Sequence, residues 1–330
     1  MSPPSNTAKA PPPRIFPSGR VLLVLSLLTR VGVLLLLCLL AMWTDYLNLK
    51  QGYNNPRLVE LASGKTARVF YEYSDAFFST FGDPMQVAQS SGGMPWSLRV
   101  MGVPFTDPVA ALSVAARDHH WELGFALGLI VPLGLALIFG RVFCSYVCPA
   151  SLLFFTTARI RRLLEKFFWL PDVRVNRGAA WGILFGGLLA VVLFGYGIWT
   201  LLLPYFAIGQ TIFHSIAFET RAAAVSAGAG ILTATIGAIV VFSLLDLLLG
   251  RQFTCRYLCP TGRLLGFIGR RSVLSVRRDA SRCLSGCHSC NQICPLGVKP
   301  KIDESVDCSL CGECMIICPT QCLSVGVKKA

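Results

Sequence analysis

Cys308-Ser-Leu-Cys311-Gly-Glu-Cys314-Met-Ile-Ile-Cys318-Pro319 lies near the end of this 330-residue chain. Its C-x2-C-x2-C-x3-C-P spacing is that by which a short loop wraps a four-iron cubane. Three close thiolates hold one corner. The fourth cysteine, kept extended by the proline after it, reaches a neighbouring group. Upstream, Cys283-Leu-Ser-Gly-Cys287-His-Ser-Cys290-Asn-Gln-Ile-Cys294-Pro295 repeats the pattern with one extra residue in its first gap. The pair implies two [4Fe–4S] clusters with crossed ligands: Cys283, Cys287, Cys290 and Cys318 for cluster one, and Cys308, Cys311, Cys314 and Cys294 for cluster two. Structural zinc would need no Cys-Pro crossover between quartets. Cys283 to His288 also spells a stretched haem-attachment motif, which the surrounding cysteine spacing outweighs. Cys322 has no slot in either quartet and reads as a buried or idle thiol.

Working outward, residues 279–330 are expected to form a small α+β domain of the bacterial 2[4Fe–4S] ferredoxin kind. So short a segment buries too little for a self-sufficient core, so its folding should depend on its clusters. Persistent thiolates also require a reducing compartment, which points to the cytoplasm.

The rest of the chain is apolar. Of the whole sequence, 54% is hydrophobic and only 14% charged, and the mean hydropathy of +0.60 exceeds what a soluble domain tolerates. The net charge of +13 comes from Lys and Arg placed beside apolar runs, where anionic headgroups explain them. No nucleic-acid recognition motif is present, so nucleic acid is not expected as a partner.

Residues 1–20 read as a cytoplasmic tail, rich in Pro and Ser at its start. Four apolar runs follow, Val21–Trp43, Trp121–Gly140, Ala179–Leu203 and Val225–Leu249, each near the roughly 20 residues needed to span a bilayer. Residues 21–278 are therefore expected to be a membrane domain of four transmembrane helices. Arg30 is expected to snorkel from the first run, and Cys38 to be a packing residue. Basic residues crowd the second-to-third connection (Arg141, Arg159, Arg161, Arg162, Lys166) and the segment after the fourth run (Arg251, Arg256, Arg263, Arg270, Arg271). The positive-inside rule places both termini and the ferredoxin segment in the cytoplasm, with 45–118 as an outer loop.

The chain repeats itself. Gly140-Arg141-Val142-Phe143-Cys144-Ser145-Tyr146-Val147-Cys148-Pro149 recurs as Gly250-Arg251-Gln252-Phe253-Thr254-Cys255-Arg256-Tyr257-Leu258-Cys259-Pro260, with one inserted residue. Each copy follows the second helix of a helical hairpin, so two parallel repeats are expected, with both Cys-x-x-x-Cys-Pro motifs on one membrane face. Four thiolates from two repeats, Cys144, Cys148, Cys255 and Cys259, could hold a further metal or cluster, or act as redox dithiols. The plain alternative is a small residue ending a helix before proline.

These residues resemble the polytopic membrane ferredoxins of the NapH and MauN type. The resemblance rests on the four spans, the paired Cys-x-x-x-Cys-Pro motifs at 144–149 and 255–260, Thr106-Asp107-Pro108 and the C-terminal ferredoxin motifs. It implies a multi-pass protein of the bacterial cytoplasmic membrane that passes electrons between the quinol pool and a redox partner, an iron–sulfur or haem protein, of a periplasmic reductase or dehydrogenase. The stretched first ferredoxin motif and the long outer loop depart from the family pattern. A membrane cupric reductase, binding copper at the Cys-x-x-x-Cys-Pro thiols, and an electron donor in metalloenzyme maturation are the rival readings. With no nucleotide-binding loop and no flavin or NAD fingerprint, a redox subunit fits better than a stand-alone enzyme.

Asp246 lies near the end of the fourth run and is expected to pair with Arg251 or Arg141, or to couple protons. Asp118, His119, His120 and Glu122 at the mouth of the second run, and His214, are candidates to take protons from a quinol. Asp107-Pro108 reads as a helix start.

Overall fold

In the computed structural model the described residues are 18–52, 65–94, 96–118, 123–173, 175–176, 178–220, 225–284, 286–300 and 308–327. The N-terminal tail up to residue 17 and the expected quinol-site residues His119, His120 and Glu122 lie outside them.

Leucine and valine run almost unbroken from Val21, and they form α1 (Gly19–Gly52). Its stretch Gly19–Thr44 is long and apolar enough to cross a membrane, yet only 22% of it is buried. Val24, Leu28 and Leu35 stand exposed on it. An apolar surface of that extent is stable against lipid, not water. Around the end of that stretch, the aromatic residues Trp43 and Tyr46 pack against Phe78 of α2 (Lys65–Ser79). Asp83 caps α3 (Pro84–Gln89) by accepting from Met85 N at 3.0 Å. A three-stranded antiparallel sheet follows: β1 (Gly92–Met94), β2 (Ser97–Val100) and β3 (Val103–Thr106).

Asp107 then starts α4 (Pro108–Asp118), as its position before proline predicts. Its Oδ1 accepts from Val109 N at 2.8 Å and Ala110 N at 3.2 Å. The second apolar run is not one helix. It is α5 (Leu123–Gly128) and α6 (Ile130–Phe139), broken ahead of Pro132, whose ring leaves the carbonyl four residues earlier without its amide partner. Next come α7 (Val142–Tyr146), α8 (Ala150–Leu164) and α9 (Ala179–Phe194).

The third run also falls short of its expected end at 203. Gly195, at φ 101°, terminates α9, and the Val191 carbonyl accepts both from Gly195 N at 2.9 Å and from Arg117 Nη1 at 2.8 Å. The short α10 (Trp199–Leu202) leads into α11 (Pro204–Thr220), which packs beside α12 (Val225–Leu248). Within α12, Gly230–Leu248 is the second stretch long and apolar enough to cross a membrane; Ala126–Phe139 and Ala179–Phe194 are shorter apolar helices. A π-helical turn, Thr254–Leu258, precedes α13 (Pro260–Ile268). The chain ends in β4 (Leu274–Arg278), α14 (Ser289–Ile293), α15 (Glu313–Ile317) and β5 (Leu323–Val327).

The chain divides into two compact units, one of residues 30–133 and 148–264, the other of the described parts of 1–29, 134–147 and 265–330. In the helical unit, Val109, Phe154, Leu184, Trp199, Phe206 and Phe242 form the core. Trp199 donates from its indole nitrogen to Ser113 Oγ at 2.8 Å, so the one polar atom of the largest core side chain is satisfied. Here too Thr261 Oγ1, one residue after the second Cys-Pro, lies 3.4 Å from Asp107 Oδ1. A hydrocarbon layer about 30 Å thick cannot separate these two residues. The expected outer loop at 45–118 is thus not wholly apart from the 255–260 motif; Val109, Ala110, Ala111 and Ser113 of α4 are buried in the helical unit.

In the other unit, β4 pairs antiparallel with β5, Val276 opposite Val325. The cysteine-rich fold therefore begins five residues ahead of the expected boundary at 279. Arg277 and Arg278 made this strand look like a basic membrane flank. Ser275 and Val276, which point to opposite faces of the strand, are nonetheless both buried.

Candidate iron–sulfur centres

Each ferredoxin motif folds into the same local device. A loop presents its first cysteines, a single helical turn follows (α14 or α15), and the chain leaves extended through Cys-Pro, with ψ 116° at Cys294 and 111° at Cys318. That extension is what proline demands of the residue before it. Both exits then close one turn, Gly297 N donating to Cys294 O at 3.1 Å and Gln321 N to Cys318 O at 3.2 Å. Gly297 at φ 63° and Gln321 at φ 49° hold equivalent left-handed positions. α14 packs against α15, and Leu22, Val276, Leu310, Leu323 and Val325 wrap the cysteines in apolar side chains. Tyr146 Oη donates to the Leu310 carbonyl at 3.0 Å, fixing the loop between Cys308 and Cys311.

The motif cysteines gather round two pockets. Cys294, Cys308, Cys311 and Cys314 line one; Cys283, Cys287, Cys290 and Cys318 line another. In the first, burial pushes the Cys311 thiol up to about 12, helped by the neighbouring Cys294 and Cys308, and Cys314 moves up for the same reasons. Burial and mutual repulsion keep such groups as neutral thiols unless a cation binds among them. Among the described residues no three Cys, His, Asp or Glu side chains converge closely enough for a single metal ion. Donors ranged round a pocket, all of them thiolates, suit a multi-iron group better than one zinc. The residues present thus fit [4Fe–4S] groups, which when bound supply one-electron transfer.

Cys322, expected to be a buried or idle thiol, is buried at 5% exposure and lines the second pocket. Its Sγ is 3.4 Å from Cys318 Sγ. Only the i+4 spacing within the turn after Cys-Pro could have signalled this.

The other motif cysteines are divided between the two units. Cys144 sits in α7, in the unit of the ferredoxin motifs, whereas Cys148, Cys255 and Cys259 belong to the helical unit. Cys148 and Cys255 pack against the same apolar core, and Gly262 N donates to Cys259 Sγ at 3.4 Å. No disulfide joins any described cysteine. The residue inserted in the second repeat is absorbed by the π turn, as one extra residue in a helix must be. Asp246 serves that turn. Wholly buried, its Oδ1 accepts from Thr254 N at 2.9 Å. Arg251, with Arg141 one of its two expected partners, pairs with Glu165, which Arg161 also holds at 2.9 Å. His214 stacks edge-on against Phe213 in α11, and Asp118 accepts from Tyr196 Oη.

Comparison with known proteins finds relatives over most of the chain. The ferredoxin-type protein NapH of Haemophilus influenzae is 30% identical over 240 residues, covering 69% of this chain and 77% of that protein. The chain belongs to the NapH-type ferredoxin family. NapH of Escherichia coli K12 is 26% identical over 248 residues, 72% of this chain and 80% of the relative. The methylamine utilization ferredoxin-type protein MauN of Methylobacillus flagellatus is 28% identical over 207 residues, 62% and 66% respectively. A family model described as a 4Fe-4S binding domain matches residues 122–166 and 228–279. Those stretches contain Cys144, Cys148, Cys255 and Cys259 and stop short of Cys283. No solved structure matches. Members of this family are ferredoxin-type electron-transport proteins, and with its long apolar helices this one is membrane-associated.

Proposed function

We propose that the chain is a multi-pass electron-transfer subunit of the bacterial cytoplasmic membrane, carrying two [4Fe–4S] clusters on the cytoplasmic side. Electrons pass between the quinol pool, or a membrane partner, and an iron–sulfur or haem partner of a periplasmic reductase or dehydrogenase system. The observation that carries this reading is the pair of cysteine-lined pockets, each completed by the Cys-Pro cysteine of the other motif. Four spans in two parallel repeats are supported by two long and two shorter apolar helices, and by the basic residues after each Cys-x-x-x-Cys-Pro motif. Relatives printed as NapH and MauN support the choice of partner class.

The chain's own residues set the conditions for transfer. They hold thiolates in an apolar setting, exclude water with Leu296, Val298 and Leu323, and keep the sites on a rigid strand pair. The test is to reconstitute the full chain in liposomes and add a reduced quinol analogue anaerobically, following the iron–sulfur EPR signal. Reduction by quinol, and reoxidation by an added iron–sulfur or haem partner, is the expected result. Clusters that dithionite reduces and quinol does not would exclude the quinol pool as donor.

A second reading concerns the membrane thiols, because the 4Fe-4S binding family model falls on their segments. Cys144, Cys148, Cys255 and Cys259 would then hold a metal or cluster of their own. Metal lost specifically from Cys144→Ala/Cys148→Ala would favour it, and bound copper would favour the cupric-reductase form.

A further inference from the structure

Three consecutive aromatic residues follow α8: Phe167, Phe168 and Trp169, which are 79%, 65% and 90% exposed. Ile160 and Leu163, in the last turns of the same helix, are exposed too. An apolar surface of this kind marks a face that something covers. The backbone on either side fixes the level at which the rings lie. Arg161, 1% exposed, donates from Nη1 to the Leu247 carbonyl at 2.5 Å and from Nη2 to the Pro171 carbonyl at 2.6 Å. Val173 N donates to the Leu249 carbonyl at 2.8 Å. Leu247 and Leu249 bracket the end of Gly230–Leu248, the stretch of α12 long and apolar enough to cross a membrane. The loop is thus stapled to the point where a spanning helix leaves the hydrocarbon.

Trp169 stands two residues from Pro171, a reach of about 7 Å at most. The interfacial layer on each side of a bilayer is about 5–8 Å thick, so the triplet lies at its level and not in bulk water. Arg159 and Arg162 on α8, and Lys166 directly before the rings, bring positive charge to the same segment. Its acids face elsewhere: Glu165 is held by Arg161 and Arg251, and Asp172 lies against Gly250. Resting on the reading that α12 crosses the bilayer, we propose that Phe167-Phe168-Trp169 is an interfacial anchor. Its rings lie among headgroups and upper acyl chains, as aromatic residues do at that depth, and Arg159, Arg162 and Lys166 draw anionic phospholipid to it. Through Glu165 the anchor is tied to Arg251, the second residue of the 250–260 motif.

The experiment places the full chain in lipid nanodiscs and takes the fluorescence of Trp169 as the difference between wild type and Trp169→Phe. Lipids brominated near the headgroup end of the acyl chain should quench that difference more than lipids brominated near the tail, and aqueous acrylamide should quench it little. At equal mole fraction, brominated phosphatidylglycerol should quench about twofold more than brominated phosphatidylcholine, because basic side chains near the surface enrich anionic lipid. Arg159→Gln/Lys166→Gln should bring the two lipids toward equality and leave the depth preference in place. Ready quenching by acrylamide with none by brominated lipid would overturn the proposal, since it would put Trp169 in water. Shielding from both would overturn it too, and would assign the triplet to a protein partner or a second copy of this chain. Equal quenching by the two headgroups in wild type would overturn the anionic preference. Release of the chain from membranes by alkaline carbonate would instead overturn the spanning reading, a failure that this wash identifies separately.

Discussion

Asp75 accepts hydrogen bonds from Tyr46 Oη and Lys50 Nζ where α1 passes beyond its apolar stretch. Partial burial alone would raise its pKa, but the bonds from Lys50 and Tyr46 win and hold it below the ordinary carboxylate value. A carboxylate whose folded pKa is depressed stabilises the fold above its unfolded pKa, and that contribution is lost as pH falls through the folded value. Asp75→Asn should therefore flatten the loss of thermal stability below about pH 4, read by tryptophan fluorescence with Trp43 as the local reporter. An unchanged acid limb would show the triad to be energetically idle. At this scale the grouping of the motif cysteines round two pockets was legible in the sequence, because ligand spacing is local. Asp246 was not: its partner is the amide of Thr254, eight residues on, freed by a π turn that sequence reveals only as an insertion. Nor was Cys322, whose place depends on a left-handed Gln321 where a glycine would have been the usual sign.

Among the elements, α9 meets α10 through Gly187, where an added Cβ would come within 2.5 Å of the Trp199 ring. Trp199 is 2% exposed and tied to Ser113, so it cannot yield. Gly187→Ala should cost about 1–3 kcal/mol through overpacking, seen as a lower melting temperature in detergent. Gly182→Ala, in the same helix with nothing within 4 Å of the added carbon, should not. The hairpin-and-motif repeat was readable as self-similarity, and each copy does form a cysteine-bearing helical turn followed by a helix that begins at Cys-Pro. Hydropathy misjudged the ends of the elements. It cannot see that Pro132 splits the second run or that Gly195 stops the third, because both are apolar enough to be counted in. It also missed β4, whose arginines resemble a membrane flank although Ser275 and Val276 are buried.

For the whole molecule, exposed aliphatic side chains on α1 and α12 call for lipid, while two cysteine quartets in apolar pockets call for iron. The second requirement bears directly on stability. Among its described residues, the segment 274–327 has one two-stranded sheet and two single-turn helices, and so little regular structure is expected to fold only with its centres in place. The most direct measurement is iron and acid-labile sulfide per chain on anaerobically purified full-length protein, with EPR after dithionite reduction, for wild type and Cys290→Ala. About eight irons in wild type, with loss of one cluster signal and about four irons in the variant, is the result expected of two crossed [4Fe–4S] sites. Zinc in place of iron, or an iron content indifferent to Cys290, would contradict it.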